Sequence, residues 1–346
     1  MIRRKQLRPA ARTRLAIETL EARDVPASSL TIDGGANTSI TAAVNVSAST
    51  VGTVTTFTAT GPGAFLDVDA IEFELNAGND VVIDTGVGGA GDAGNISWVW
   101  NASPDDLNYA GAATRSLTLK TNASSLSGDI SITDVYMYLG QKVDVTLDTS
   151  APLAGTKNIN LLGAAVVGFF GGDEAASFTL IAGTGDITMQ PYAQIATSTG
   201  DISLSADSMT ASGFLSSISG NVIVNSALTV GLLTANAANV TLAGTVDSGD
   251  LYLTAVNSII LGGAVGATTP LSSLNLDSGT VSFGTNNISA TTINVNGGTL
   301  GTGTGTITGD INVGSGYPYG GVVSAFTIVG NVTVSNDGKL APGGVG

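Results

Sequence analysis

A five-residue phrase recurs along the chain: glycine, then Asp or Asn, then an apolar, a polar and an apolar residue. Alternating apolar and polar residues are typical of a β-strand with one buried face, because successive side chains point to opposite sides. The glycine and the acidic or amide residue are typical of a turn. Several neighbouring copies lie 15 to 21 residues apart, a period that indicates a solenoid. The seven copies occupy residues 128–132, 185–189, 200–204, 220–224, 249–253, 309–313 and 330–334.

The same alternation continues outside these copies. Val143, Val145 and Leu147 alternate with polar residues, and so do Leu274 and Leu276. No helical periodicity is evident after residue 27, so we predict an all-β fold without βαβ units. An antiparallel sandwich or barrel and a parallel β-helix both satisfy this pattern. The β-helix is favoured because the unit recurs as a turn followed by a strand, and because Asn-Gly and Asp-Gly hairpin turns are nearly absent.

A right-handed parallel β-helix over residues 126–346 has predictable dimensions. With about 20 residues per coil and strands about 4.8 Å apart, these residues would form roughly 11 coils in a rod about 50 Å long. Its interior would consist of Val, Ile, Leu and Ala, since only 5% of the chain is aromatic. A single coil cannot bury its apolar side alone, so stability is a sum of neighbour interfaces.

Residues 28–125 are less regular and are predicted to form either the first coils or a small β cap over the open end. Leu66 and Val68 share one parity, whereas Ile71, Phe73 and Leu75 share the other. Because a one-residue shift exchanges the two faces of a strand, we predict a bulge or corner near residues 69–71.

Composition excludes several classes of chemistry. The chain has 346 residues, of which 43% are hydrophobic, and this content argues against a disordered polar tract. It contains no cysteine and no histidine. Disulfides, thiolate and histidine metal sites, and Cys or His nucleophile–base pairs are therefore excluded. Glycine, at 47 residues, has about twice its usual share, as a fold with many tight turns requires.

Charge divides the chain into a basic leader and an acidic body. Seven of the twelve basic residues fall within the first 23 positions, and residues 1–27 are predicted to be a helical or disordered leader. From residue 25 onward there are five basic and 24 acidic residues, a net charge of −19. Such a body repels nucleic acid, so we predict no nucleic-acid partner. No apolar run is long enough to predict a transmembrane helix.

The end of the leader carries a distinctive motif. The run at residues 14–27, which ends in Leu20-Glu21-Ala22-Arg23-Asp24-Val25-Pro26-Ala27, resembles the Leu-Glu-x-Arg-x-Val-Pro-Ala leader of large exported proteins of planctomycete bacteria. This resemblance implies export and an extracellular or cell-surface location. The alternative is a basic N-terminus with no targeting role.

The body resembles bacterial β-strand-repeat surface proteins. Residues 258–276 are similar to the repeat of filamentous-haemagglutinin-type proteins, and residues 330–344 are similar to autotransporter-associated β-helix repeats. The resemblance implies a secreted or surface-displayed right-handed β-helix, often adhesive. Those repeats usually continue past Leu-Ala-Pro-Gly into another strand, so we expect a truncated product or one piece of a longer rod.

Two acidic segments are candidates for calcium binding. Asp67, Asp69, Glu72 and Glu74 form the densest acidic cluster, and calcium requires six to eight converging oxygens. The favoured alternative is that they form the solvated side of a strand and its corner. The segment ending in Asp80, residues 78–84, is similar to one unit of calcium-binding nonapeptide repeats. Those repeats need tandem copies, so ordinary turn chemistry is favoured here as well.

The predicted function is structural or adhesive display at the cell surface or outside the cell, without catalysis and without a cofactor. Surface polysaccharide or other cell-surface components are the expected partners. One alternative is a carbohydrate-active β-helix enzyme, which would need two carboxylates at a fixed separation in a groove. The other is a calcium-stabilised repeat protein.

Overall fold

A computed structural model describes residues 28–33, 43–86, 93–99, 107–121, 128–150, 157–163, 166–167, 174–301, 304–314, 321–324, 327–335 and 338–341. The predicted leader at residues 1–27 lies outside these ranges.

The described residues form 27 strands and one helix. In chain order they are β1 (Leu30–Asp33), β2 (Ala43–Val44), β3 (Val46–Val51), β4 (Val54–Ala59), β5 (Ala64–Asp67), α1 (Val68–Asn76), β6 (Asp80–Asp84), β7 (Ile96–Val99), β8 (Leu107–Asn108), β9 (Arg115–Lys120), β10 (Ile130–Thr133), β11 (Tyr136–Tyr138), β12 (Val143–Asp148), β13 (Ile159–Leu162), β14 (Val166–Val167), β15 (Ser177–Ile181), β16 (Asp186–Thr197), β17 (Ile202–Ser217), β18 (Asn221–Leu242), β19 (Val246–Asp247), β20 (Asp250–Leu261), β21 (Leu271–Ser282), β22 (Ile288–Leu300), β23 (Thr306–Val313), β24 (Val322–Val323), β25 (Thr327–Val329), β26 (Val332–Val334) and β27 (Lys339–Leu340).

Successive coils stack in parallel on three faces. Face A runs from β5 through β1, β7, β10 and β13 into the first part of β16. Face B runs from β8 through β11 and β14 into the second part of β16. Face C runs from β4 through β6, β9, β12 and β15 into the start of β17. Long strands such as β17 bend through all three faces.

The predicted parallel β-helix is therefore confirmed, and the sandwich alternative is wrong. From β12 to β27, face C passes through ten rungs, close to the roughly 11 coils expected. The sheet also continues across residue 125, since β7 pairs with β10 and β9 pairs with β12.

One continuous aliphatic core fills the interior. The alternating residues that were predicted to face inward, such as Val145, Leu204 and Leu276, are buried, except in the last copy of the phrase, where Val334 is 44% exposed. In each of these coils a buried residue lies directly on its counterpart in the next, as Leu204 does on Val224. Burying such a side chain stabilises the fold by about 1.5–3 kcal/mol, so neighbouring coils are mutually dependent.

The segment predicted to contain a bulge or corner is instead a helix, so that prediction is wrong, as is the expectation of no helix after residue 27. Val68, Ile71 and Leu75 are buried and Phe73 is 52% exposed. A spacing of three and four residues places the buried side chains on one side of a helix, which explains the change of parity. The helix occupies the face B position next to β8.

An antiparallel segment lies at the N-terminal end of the stack. β3 pairs antiparallel with β4 through a two-residue turn at Gly52 and Thr53, and β2 pairs antiparallel with β5. The sequence did not predict this hairpin, because its turn lacks Asn-Gly or Asp-Gly. Faces A and C therefore end in antiparallel strands, which cover sheet edges that would otherwise be open to further pairing.

Candidate functional site

The first two residues of the predicted acidic cluster belong to the start of α1. Asp67 is its N-cap: the carboxylate Oδ1 accepts a hydrogen bond from the backbone N of Asp69 at 3.0 Å. Asp69 lies in the first turn. Acidic residues here satisfy free backbone N–H groups and complement the positive end of the helix dipole. Both residues therefore have a structural explanation.

Helix side chains also bond the free edge of face B. Glu72 Oε2 accepts from Asn108 N at 3.3 Å, and Asn76 Oδ1 accepts from Ala110 N at 3.2 Å. Side-chain oxygens thus take the place of the backbone carbonyls that another strand would supply. Glu74 points elsewhere, because its Oε2 accepts from Thr55 Oγ1 at 2.7 Å.

Asp80 follows the end of the helix rather than a calcium-type turn. Gly78 has φ +94° and its N–H bonds to Leu75 O, so the glycine terminates α1. Asp80 Oδ1 accepts from Ser116 N at 2.8 Å, which links face C to the next coil.

Four of the five predicted carboxylates thus accept hydrogen bonds from separate partners: Asp67, Glu72, Glu74 and Asp80. Within the described ranges, no three acidic, histidine or cysteine residues form a group able to hold a metal ion. The fold brings these residues near one helix without directing their oxygens to a common point. Their hydrogen bonds favour structural roles over coordination.

The glycine of the recurring phrase has a steric role at the corners of the coils. In all seven copies, a Cβ at this position would overlap a carbonyl oxygen of the preceding coil. Gly128 lies against Gly94 O, and Gly220 lies against Gly200 O. Four of the seven glycines show no left-handed φ, so close approach, rather than turn conformation, is their common requirement.

The acidic or amide residue after that glycine bonds the next coil. Asp129 Oδ1 accepts from Asn158 N at 2.8 Å, and Asp201 Oδ1 accepts from Asn221 N at 2.8 Å. Asp186, Asn221, Asp250 and Asp310 likewise accept from the following coil. The sequence predicted these residues only as turn residues, whereas the structure shows that they also join neighbouring coils. The phrase occurs on all three faces because it is a stacking device for corners.

Side-chain ladders extend this device along the rod. On face C, Asn239 Nδ2 donates to Asn221 Oδ1 at 2.8 Å, and Asn239 Oδ1 accepts from Ser258 Oγ at 2.8 Å. On face B, Asn275, Asn294 and Asn312 form a second ladder with amide-to-amide distances of 2.7 and 2.9 Å. Each such bond contributes about 1 kcal/mol to the interface between neighbouring coils.

Two basic residues of the body are bonded to other parts of the fold. Lys120 Nζ pairs with Asp84 Oδ2 at 2.8 Å, and Lys142 Nζ donates to Gly111 O at 3.5 Å. The Asp84 side chain is only 4% exposed, so this ion pair fixes neighbouring strands β6 and β9.

Aligned register positions along face B include aromatic residues. Ten positions are in register along it, and none is charged. We call this set the face B column: Tyr136, Val166, Gln194, Phe214, Thr234, Tyr252, Asn275, Asn294, Asn312 and Thr333. Tyr252 is 41% exposed.

The outward position of one member of this column could have been predicted from the sequence. Tyr252 stands between Leu251 and Leu253 in one copy of the phrase, so its parity already placed it outward. The alignment with Phe214 and Tyr136 depends on coil lengths, which differ along the chain and are visible only in the register.

No family model, no curated protein and no solved structure matches the chain. Over the residues that the structure describes, no helix is long and apolar enough to cross a membrane.

Proposed function

We propose that the chain is an exported, non-catalytic β-helix rod with a structural or adhesive role at the cell surface or outside the cell. The observation that carries the proposal is the corner device of glycine and Asp or Asn. It joins each coil to the next by close backbone approach and a hydrogen bond. Such a rod holds its outward faces at fixed spacing without a cofactor or disulfide.

The acidic body and basic leader support the same role. A net charge of −19 beyond residue 24 keeps rods apart and soluble outside the cell. The leader motif at residues 20–27 is the basis for export. The carbohydrate-active alternative is less favoured, since the carboxylates of Asp67, Glu72, Glu74 and Asp80 accept hydrogen bonds from protein groups of the fold.

Fractionation of the source cell tests this proposal. An antibody to the body should detect the full chain in the surface or medium fraction, and a variant lacking residues 1–27 should remain inside. Purified chain should release no reducing sugar from a panel of polysaccharides. Retention of the full chain in the cytoplasm, or sugar release abolished by a single carboxylate substitution, would contradict the proposal.

A further inference from the structure

The tyrosines of this chain are segregated to one face. All five described tyrosines lie in face B strands or directly beside them: Tyr109, Tyr136, Tyr138, Tyr192 and Tyr252. Tyr109 is buried, whereas the other four side chains point outward. Phe214 adds a half-buried ring in the face B column. Aromatic side chains are scarce in this chain, so their collection on one face needs an explanation.

The corresponding outward columns of faces A and C are different. On face A, consecutive rungs carry Ser97, Ser131, Asn160, Thr188 and Thr210. On face C, consecutive rungs carry Thr118, Thr146, Thr179 and Ser203. Hydroxyl and amide side chains fill these rungs, and face C continues through Ser203 to Ile223 and, two rungs on, Ile260. Outward positions thus stack without aromatic residues, so the rings of face B are not required for stacking.

Tyr192 strengthens this contrast. Its backbone has φ +77°, a left-handed conformation that favours glycine, and its side chain is 78% exposed. A non-glycine residue at this φ is strained, and so large an exposed ring buries little to offset the strain. Stability alone therefore does not account for a tyrosine at this corner.

We propose that face B binds an uncharged, extended polysaccharide laid along the rod axis. This inference rests on the proposed surface role and identifies the partner and its binding face. Phe214 and Tyr252 are two rungs apart, about 10 Å along the axis, so their rings form platforms in a straight line. The apolar C–H faces of sugar rings pack against such platforms, and an aromatic ring contributes this area at low entropic cost.

The polar members of the face B column match the remaining chemistry of a neutral glycan. Gln194 and Thr234 lie between aromatic rungs, and Asn275, Asn294 and Asn312 continue the column. Amides and hydroxyls both donate and accept, as sugar hydroxyls do. The column itself is uncharged, whereas Asp250 and Asp310 lie in the neighbouring outward column of the same face. These carboxylates and the acidic body repel anionic glycans and leave neutral ones as the matching class.

Affinity electrophoresis and pull-down of the full chain test the proposal. The probes are soluble β-glucan, galactomannan and cellulose as neutral glycans, and alginate and polygalacturonate as anionic ones. The test variants are Tyr252→Ala and Tyr192→Gly, singly and combined. Ile260→Ala is the matched control: Ile260 lies in the same strand as Tyr252 and is 43% exposed, but on face C.

We expect at least one neutral glycan to retard the chain and the double variant to bind it about tenfold more weakly or worse, with Ile260→Ala unchanged. Tyr192→Gly should keep its melting temperature within about 2 °C, because it relieves strain, so lost binding cannot be ascribed to unfolding. Binding of no neutral glycan, preference for an anionic one, or equal loss in Ile260→Ala would overturn the inference. Fractionation would still decide the surface role independently.

Discussion

The coils before and after about residue 200 share one hydrophobic core but differ in the number of residues per coil. On face A, Ile96, Ile130, Ile159 and Ile187 are in register and lie 34, 29 and 28 residues apart. On face C, the steps from Ile202 through Val222 and Val240 to Ile259 are 20, 18 and 19 residues. We call these the wide coils and the tight coils. The core is equally buried in both, so coil length is free to vary at the corners.

Threonines show where the wide coils place their extra residues. Thr85 Oγ1 bonds Gly94 O at 2.6 Å, Thr121 Oγ1 bonds Gly128 O at 2.5 Å, and Thr149 Oγ1 bonds Lys157 O at 3.1 Å. Each bond joins the end of a face C strand to the residues just before the next face A strand. A buried threonine thus fixes the corner between the two faces, and the strands on either side keep their register.

The largest expected effect tests whether wide and tight coils are equally well packed. Ile130→Asp in a wide coil and Leu204→Asp in a tight coil each place an unpaired carboxylate in the core. Each should lower the free energy of unfolding by more than about 4 kcal/mol, measured by denaturant titration. The outward controls Ser131→Asp and Ser203→Asp should stay within about 0.5 kcal/mol. A mild effect of Ile130→Asp alone would show that the wide coils are loosely packed.

Two glycines with the same φ separate steric from conformational requirements. Gly249, in a tight coil, has φ +65°, and a Cβ there would overlap the carbonyl oxygens of Val230 and Gly231. Gly52, in the N-terminal hairpin, has φ +64° and nothing within 4 Å. Gly249→Ala should cost about 2–4 kcal/mol and Gly52→Ala only about 1 kcal/mol. Equal costs in thermal melts would mean that the corners have room for a side chain.

A smaller effect concerns the bonds between coils. Asn239→Ala in a tight coil removes two side-chain hydrogen bonds and should cost about 1–2 kcal/mol. Asn158→Ala in a wide coil removes the acceptor for Asp186 N and should cost about 1 kcal/mol. Hydrogen exchange should show the loss concentrated in adjacent coils, since coils interact mainly with neighbours. Uniform loss along the rod would contradict this picture.

The smallest effect distinguishes helix capping from calcium binding at Asp67. Asp67→Ala should cost about 1 kcal/mol, the usual value for an N-cap, with or without millimolar calcium. The unmodified chain should melt at the same temperature in calcium and in chelator. A melting temperature that rises in calcium only while Asp67 and Asp80 are intact would favour the calcium-stabilised alternative.

The alternation of apolar and polar residues predicted strands correctly where the apolar residues are buried. Alternation at Val143–Leu147 or Leu274–Leu276 predicted buried strands correctly, because one face of each strand meets the core. It failed at residues 68–76, where a nine-residue helix spans too few turns to stand out and shares residues with an apparent strand. The sequence pattern also assigned the recurring glycines to turns alone. Their common requirement is close approach between coils, which depends on residues about 20 or more positions away.

Candidate sites were less predictable than the fold. The acidic residues around α1 looked like a cluster because they are close in sequence, yet helix geometry directs Glu72 and Glu74 to different partners. The residues of the face B column, by contrast, are distant in sequence but adjacent in the structure. Tyr136, Phe214 and Tyr252 are far apart in sequence and align only because the intervening coils have specific lengths.

Engineered disulfides test most directly whether consecutive coils run parallel. The chain has no cysteine, and β20 and β21 are parallel, with Asp250 in register with Ser273 and Thr254 with Asp277. Cysteines at 250 and 273, or at 254 and 277, should cross-link on oxidation, because neighbouring strands lie about 4.8 Å apart. Pairs at 250 and 277, or at 254 and 273, should stay reduced. The reverse outcome, cross-linking of the crossed pairs alone, would mean antiparallel strands and would contradict the β-helix.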